Sequence, residues 1–244
     1  MHGVTDYKSA AALAAVAGVA AGAWFYAALC PTSQVFGRVV IAGEDPAELA
    51  LTYDDGPNPA ATPQLLEVLA RHNVRATFFL IGRHVRLEPA LAREIVAAGH
   101  TVGNHTMTHP WLAWQSGRRI RAEIADTNAL LEDTLGQPVR LFRPPHGARR
   151  PVVLRTAAEL GLSTVNWNII THDWRPQPSA RIVELVRRGI ARNENVGRGS
   201  NVLMHDGGEA SLGQPRMNSV YATETVILDA CAAKRRFVTP EDWI

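Results

Sequence analysis

The residues able to do chemistry sit in short polar interruptions of apolar runs. In "LTYDDGP", residues 51–57, Asp54 and Asp55 stand side by side. Adjacent carboxylates repel, and two sharing one site push a pKa upward. A fold keeps both only if solvent, a cation or separate partners compensate. In "NHTMTHP" His105 and His109 are four residues apart. Two neutral imidazoles and one carboxylate form a common site for a divalent cation with open positions for water or substrate. Zinc fits that ligand set, and cobalt or nickel would bind similarly. One aspartate would then hold the cation. The other would take a proton from the attacking water, the division of labour of metal-assisted hydrolysis. Bland readings stand beside this one. "DDGP" is good turn chemistry by itself, and a lone pair of histidines four apart is more often a loop feature. Their joint presence at equivalent positions favours the metal.

Those positions follow from the elements around them. Short apolar runs at 48–53, 75–82, 100–106 (strand then loop), 139–145 (stopped by prolines), 162–169 and 200–206 read as strands. Helical spacing over 62–73, 88–99, 118–135, 152–161, 180–190 and 218–234 separates them, with Thr62 as an N-cap and Pro63 just inside the first helix. Residues 235–240 add a segment that closes the sheet. The alternation predicts parallel strands with helices outside, and about seven such units predict a barrel. No GxGxxG follows the first strand, so a dinucleotide fold has no support. In a parallel α/β barrel the active site gathers at the carboxyl ends of the strands. Asp54, Asp55, His105, His109, Arg143 in "FRPPHG", Asp173 in "THDW" and His205 in "LMHD" all follow such ends.

Residues 9–30 carry no charge over 22 positions, a length suited to a membrane-spanning helix, with Trp24 and Tyr26 near its far end. An alanine-rich buried helix and a cleaved signal peptide are the alternatives. The expected organisation is an anchor or signal at 1–30, a linker at 31–45 and a catalytic domain at 46–244. The anchored form would be single-pass in the cytoplasmic membrane with its domain outside; the cleaved form would be secreted. Asp6 offsets Lys8, so the charge bias that would orient the helix is thin. A net charge of +2, without a dense basic stripe, gives no argument for nucleic acid. Cys30 and Cys231 are too few and too far apart for a disulfide framework.

In order and spacing, "TYDDGP", "HTMTH", "RPPHG", "HDW" and "LMHD" resemble the five motifs of the polysaccharide deacetylases, carbohydrate esterase family four with its NodB-like domain. The resemblance implies a distorted (β/α)7 barrel, a divalent metal and an N-acetylated glycan as substrate, with a monomeric catalytic domain. It implies Asp54 as catalytic base, and Asp55, His105 and His109 as metal ligands. Arg143 would orient the base and lower its pKa. His205 would be the general acid, tuned by Asp173. Leu203 would line the acetyl pocket, Trp174 the substrate groove, and the main-chain N–H of His146 would face the oxyanion. Two positions depart from the pattern: His146 stands where tyrosine is common, and Ile170 where an earlier aspartate often occurs. The implied activity is removal of N-acetyl groups from peptidoglycan or a chitin-like glycan. Ester hydrolysis on xylan, or deformylation or deacetylation of a lipid-linked sugar, is the enzymatic rival. A non-catalytic glycan-binding envelope protein is the rival of another class.

Overall fold

The first strand explains the frame. In "ELALTYDDG" apolar residues point to both faces, as expected for a strand covered on both sides. In the computed structural model, which describes residues 3–244, this strand is β1 (Glu48–Gly56), and all nine of its residues are buried. Before it lies α1 (Gly3–Leu29). After it come α2 (Thr62–Arg71), β2 (Thr77–Leu80), α3 (Gly82–Leu87), α4 (Pro89–Ala97), β3 (Thr101–Asn104), α5 (Gly117–Leu135) and β4 (Leu141–Phe142). The chain continues through α6 (Pro151–Glu159), β5 (Ser163–Thr164), β6 (Ile169–Ile170), α7 (Ser179–Glu194), β7 (Ser200–His205), α8 (Met217–Ala232) and β8 (Arg236–Phe237).

Seven strands run in the order β5-β4-β3-β2-β1-β7-β6, and β8 pairs with the start of β1. Every pairing is parallel. Helices α2, α7 and α8 pack Leu65, Leu69, Val183 and Ile227 against Leu51, Phe78 and Val202 of the sheet. That burial is the main driving force for the layer arrangement.

The expected closed barrel is a curled half-barrel. The single strand expected at 162–169 is two, and β5 and β6 occupy opposite edges of the sheet without pairing. The reason lies in residues 165–168, which cross the opening. Their carbonyls are taken by side chains instead of a neighbouring strand. Arg143 donates Nε to Val165 O (3.3 Å) and Nη2 to Asn166 O (3.2 Å), and Asn201 Nδ2 donates to Asn166 O (2.8 Å). Asn168 accepts from Asn201 N at 2.8 Å and donates to Gly199 O at 2.9 Å. The side chains of Arg143, Asn201 and Asn168 thus bridge the crossing in place of strand pairing.

Three other expectations change in detail. Helix α2 begins at Thr62 with Ala61 as its cap, and the Thr62 hydroxyl turns instead to Asp206 Oδ2 at 2.5 Å. The short helix α3 was not legible from spacing. The stretch read as a linker is packed: Val39 is buried and Val40 bridges to Val165.

The N-terminal segment also differs from expectation. Among the described residues no helix is long and apolar enough to cross a membrane. Alanine dominates α1 and is only weakly lipophilic. The Asp6 and Lys8 side chains lie outside the described ones. Nor is α1 a buried helix: Val16 and Val19 are exposed, and only its last turn docks. There Ala27 and Ala28 are buried, Trp24 meets Trp114 with ring centroids 5.1 Å apart, and buried Arg149 donates to the carbonyls of Cys30 (2.9 Å) and Ser33 (2.5 Å).

Asn201→Leu keeps the number of side-chain heavy atoms but leaves the Asn166 carbonyl with Arg143 as its one donor and removes the amide oxygen that faces Thr52. It should lower stability by about 1–3 kcal/mol, read as a lower midpoint in chemical denaturation with an unchanged slope.

Candidate active site

The strand ends deliver the side chains. Asp54 and Asp55 lie near the end of β1, and His205 ends β7 as the register partner of Asp54. His105 directly follows β3, Arg143 follows β4, and Asp173 lies three residues beyond β6. Three of the site residues adopt left-handed backbone: Asp55 (φ 72°), His109 (φ 60°) and His146 (φ 58°). Such conformations in non-glycine residues cost roughly 1–3 kcal/mol each and persist only where surroundings enforce them. At Asp55 the enforcement is visible. His84 Nδ1 donates to its carbonyl at 3.0 Å, and Gly207 presses on the same carbonyl so closely that a Cβ there would sit 2.0 Å from the oxygen.

This twist sends the two neighbouring carboxylates to different partners. Asp54 Oδ1 accepts from Arg143 Nη1 at 2.7 Å. Asp55 Oδ1 lies 3.5 Å from His105 Nε2 and 3.2 Å from His109 Nε2. It is buried and accepts no hydrogen bond. A buried carboxylate oxygen without a donor is costly, and two imidazole nitrogens facing it compound the deficit. One divalent cation among these three atoms removes it, so Asp55, His105 and His109 fit a metal. The tautomer of His105 agrees. Its Nδ1 donates to Arg143 O at 2.7 Å, which leaves the Nε2 lone pair for a cation. Burial, aided by the nearby His109, pushes the pKa of His105 well down and keeps it neutral.

The remaining groups form two pairs. Burial pushes the Asp54 carboxyl up, and the Arg143 guanidinium opposes this without overcoming it. The expected lowering by Arg143 is therefore outweighed by desolvation. On the adjacent strand, His205 Nδ1 lies 2.8 Å from Asp173 Oδ1, while Asp173 Oδ2 accepts from His205 N (2.7 Å) and Ser219 Oγ (2.6 Å). Thr171 Oγ1 donates to Asp173 Oδ1 at 3.0 Å. Burial alone would lower the His205 pKa. The Asp173 carboxylate, with Asp55 and Asp54, raises it to about 9.

A cleft of about 600 Å³ opens over these pairs. Asp54, Asp55, His105, His109, His146, Trp174, Leu203 and His205 line it. Arg143 and Asp173 do not reach its wall; they sit behind Asp54 and His205. Trp174 is 38% exposed and meets the His205 ring edge-on at 5.1 Å, whereas Trp167 is buried at the cleft base. His146 stacks on Trp111 with centroids 3.9 Å apart and planes 12° from parallel. His100 lies away from the site and accepts from Ala76 N at 3.3 Å. Several contributors carried no sequence signal: Thr52, which accepts from Arg143 Nη1 at 2.9 Å, Ser219, Thr171 and Glu209.

Comparison with known proteins fits this geometry. The polysaccharide deacetylase family model matches residues 42–165. A chitooligosaccharide deacetylase from Sinorhizobium fredii is 40% identical over 167 residues, 68% of this chain and 75% of its own length. The chain belongs to the polysaccharide deacetylase family. Among solved structures, this deacetylase-family fold is similar to a peptidoglycan N-acetylglucosamine deacetylase, with TM-score 0.75 and 33% identity over 84% of this chain and 91% of that one. It is also similar to a family 4 acetyl xylan esterase from Clostridium thermocellum in complex with a cobalt ion. There the TM-score is 0.70 and the identity 30%, over 80% of this chain and 89% of that one.

Gly207→Ala must displace the Asp55 carbonyl, because the clash is with backbone. It should cost about 1–3 kcal/mol and weaken metal binding together, read by thermal melts of the metal-free and metal-loaded protein.

Proposed function

We propose that this chain is a metal-dependent N-deacetylase of N-acetylglucosamine-containing glycans, acting on chitooligosaccharide or peptidoglycan. The observation that carries the reading is the joint arrangement of an Asp–His–His cluster with an unsatisfied oxygen and a carboxylate-backed histidine on the adjacent strand. Either alone is common. Together they supply an electrophilic centre and an acid on opposite sides of one cleft, which amide hydrolysis needs.

A divalent cation, when bound at Asp55, His105 and His109, supplies Lewis-acid polarisation of the acyl carbonyl and an acidified water. Zinc suits this N,N,O donor set, and cobalt or nickel would substitute. Asp54 takes the proton of the attacking water. Burial raises its affinity for a proton, as a base requires, and Arg143 fixes Oδ1 so that Oδ2 serves as acceptor. His205 gives a proton to the departing amine, which is a very poor leaving group unprotonated. Asp173 holds the His205 Nδ1–H, so Nε2 faces the substrate. Leu203 offers an apolar floor for the acetyl methyl, and Trp174 an aromatic wall for the sugar. The main-chain N–H of His146 donates to the developing oxyanion. We take the glycan to be one of the cell envelope, with the domain acting outside the cytoplasmic membrane; the similarity to peptidoglycan N-acetylglucosamine deacetylases supports that part of the reading. An esterase with the same centre is the competing reading, favoured by the similarity to an acetyl xylan esterase.

Product analysis separates the two. With zinc added, acetylated chito-oligosaccharides or peptidoglycan should release acetate and leave a free amine; release of acetate only from O-acetylated substrates would assign the esterase. In the same assay Asp54→Asn should keep its metal and lose about 10²–10⁴-fold in kcat; near-normal turnover would exclude Asp54 as the base.

The pH dependence follows from His205. Its pKa is raised, so the imidazolium is present through neutrality and is lost as pH rises. A bound cation opposes the aspartates that raise it, so the rate should fall on the alkaline side at or below about 9. Asp173→Asn removes the main raising partner and should shift that limb to lower pH, read from kcat–pH profiles.

A further inference from the structure

The two imidazoles of the Asp–His–His cluster are held in unlike ways. His105 Nδ1 donates to a main-chain carbonyl, that of Arg143 at 2.7 Å. His109 has no such anchor. Its buried Nδ1 lies 2.5 Å from Glu209 Oε2 but off the line of a hydrogen bond, so the nitrogen is without a hydrogen-bond partner among the described residues. Glu209 lies four residues beyond β7, on the segment that borders the cleft, and its side chain is 53% exposed. The Arg83 guanidinium donates to its main-chain oxygen and ties that segment to α3. On its other side the carboxylate faces His146 Nε2 at 3.7 Å.

His109, His146 and Glu209 are close enough for their ligand atoms to hold a second cation. Imidazole chemistry argues against it. A neutral ring has one lone pair and one N–H. If Nε2 of His109 serves the Asp55 site, Nδ1 carries the proton and cannot be a ligand. That proton needs an acceptor, and the carboxylate of Glu209 is there.

Resting on the metal reading above, we propose that Glu209 is a positioning residue for the metal site. Its carboxylate accepts the Nδ1–H of His109, fixes that ring's tautomer and direction, and strengthens cation binding at Nε2. Outer partners of this kind typically change metal affinity 10–100-fold.

The test uses the full-length protein stripped of metal and titrated with zinc against a competing chromophoric chelator. Wild type should take up one zinc per chain. Glu209→Gln and Glu209→Ala should bind it about 10–100-fold more weakly, with unchanged melting of the metal-free form, because the side chain is half-exposed. The visible spectrum of the cobalt-substituted protein should shift in Glu209→Gln, and His146→Ala should retain wild-type zinc affinity. Wild-type affinity in both Glu209 variants would overturn the proposal. So would two zinc ions per wild-type chain falling to one in Glu209→Gln or His146→Ala, which would make the cluster a second metal site. A wild-type chain that takes up no zinc would remove the metal reading itself; one zinc with unaffected Glu209 variants would remove only this inference.

Discussion

One buried guanidinium organises the mouth of this fold. Arg143 is fully inaccessible, lies 4.0 Å over the Phe79 ring, and directs its N–H groups to Asp54, Thr52, Val165 O and Asn166 O. A buried cation is tolerable only with paired charge and satisfied donors. Here the counter-charge is the proposed base, and the other acceptors are the carbonyls that cross the open side of the sheet. Structure and chemistry therefore share one side chain. The opening of the half-barrel is bridged and the base is oriented by the same set of hydrogen bonds. The Thr52 hydroxyl, which donates onward to Val202 O at 2.7 Å, extends that set to the strand carrying His205.

Adjacent carboxylates become useful because they are made unequal. The left-handed turn at Asp55 points its oxygen at two imidazoles, while Asp54 stays on the strand and meets Arg143. Repulsion between them is answered separately on each side. Arg143 answers it for Asp54, and His105 and His109 present imidazole nitrogens suited to a cation for Asp55. Backbone strain is the means. It is sustained by a glycine against the Asp55 carbonyl and a histidine donating to it, neither of which touches substrate.

Much of this was legible in the sequence, and the legible part has a common cause. Strands buried on both faces appear as apolar runs, and each polar residue that interrupts one must have a reason. Asp54, Asp55, His105, Arg143 and His205 all stood out this way, and the order of the runs implied parallel pairing. The unreadable part depends on contacts between segments far apart in the chain. Nothing near Asn201 says that its amide reaches Asn166, and nothing near Glu209 says that it meets His109. The split of the 162–169 run into β5 and β6 was hidden for the same reason, since its apolar content suits one strand and only the sheet's curvature decides otherwise. Residues 9–30 misled in another way. Length and lack of charge suggested a membrane span, but hydropathy depends on side-chain size, and alanine supplies little.

The departures from the family pattern fall where variation is cheapest for the reaction. His146 and Ile170 both line the cleft, yet neither bonds to Asp54, Asp55 or His205. The His146 side chain meets the metal-ligand set through its ring edge on His109, at 4.7 Å, and its face lies on Trp111. Ile170, 37% exposed, leaves the Asp173–His205 pair intact beside it. A flat imidazole–indole stack and an exposed aliphatic side chain change what a glycan touches on its way in. They leave the proton transfers alone. Strand ends, braced by the sheet, hold the reacting groups in place, whereas turns and loops at the rim present surface that is free to differ. Substrate preference should therefore be sought at Trp111, His146, Ile170 and Trp174, while the reaction type follows from the residues behind them.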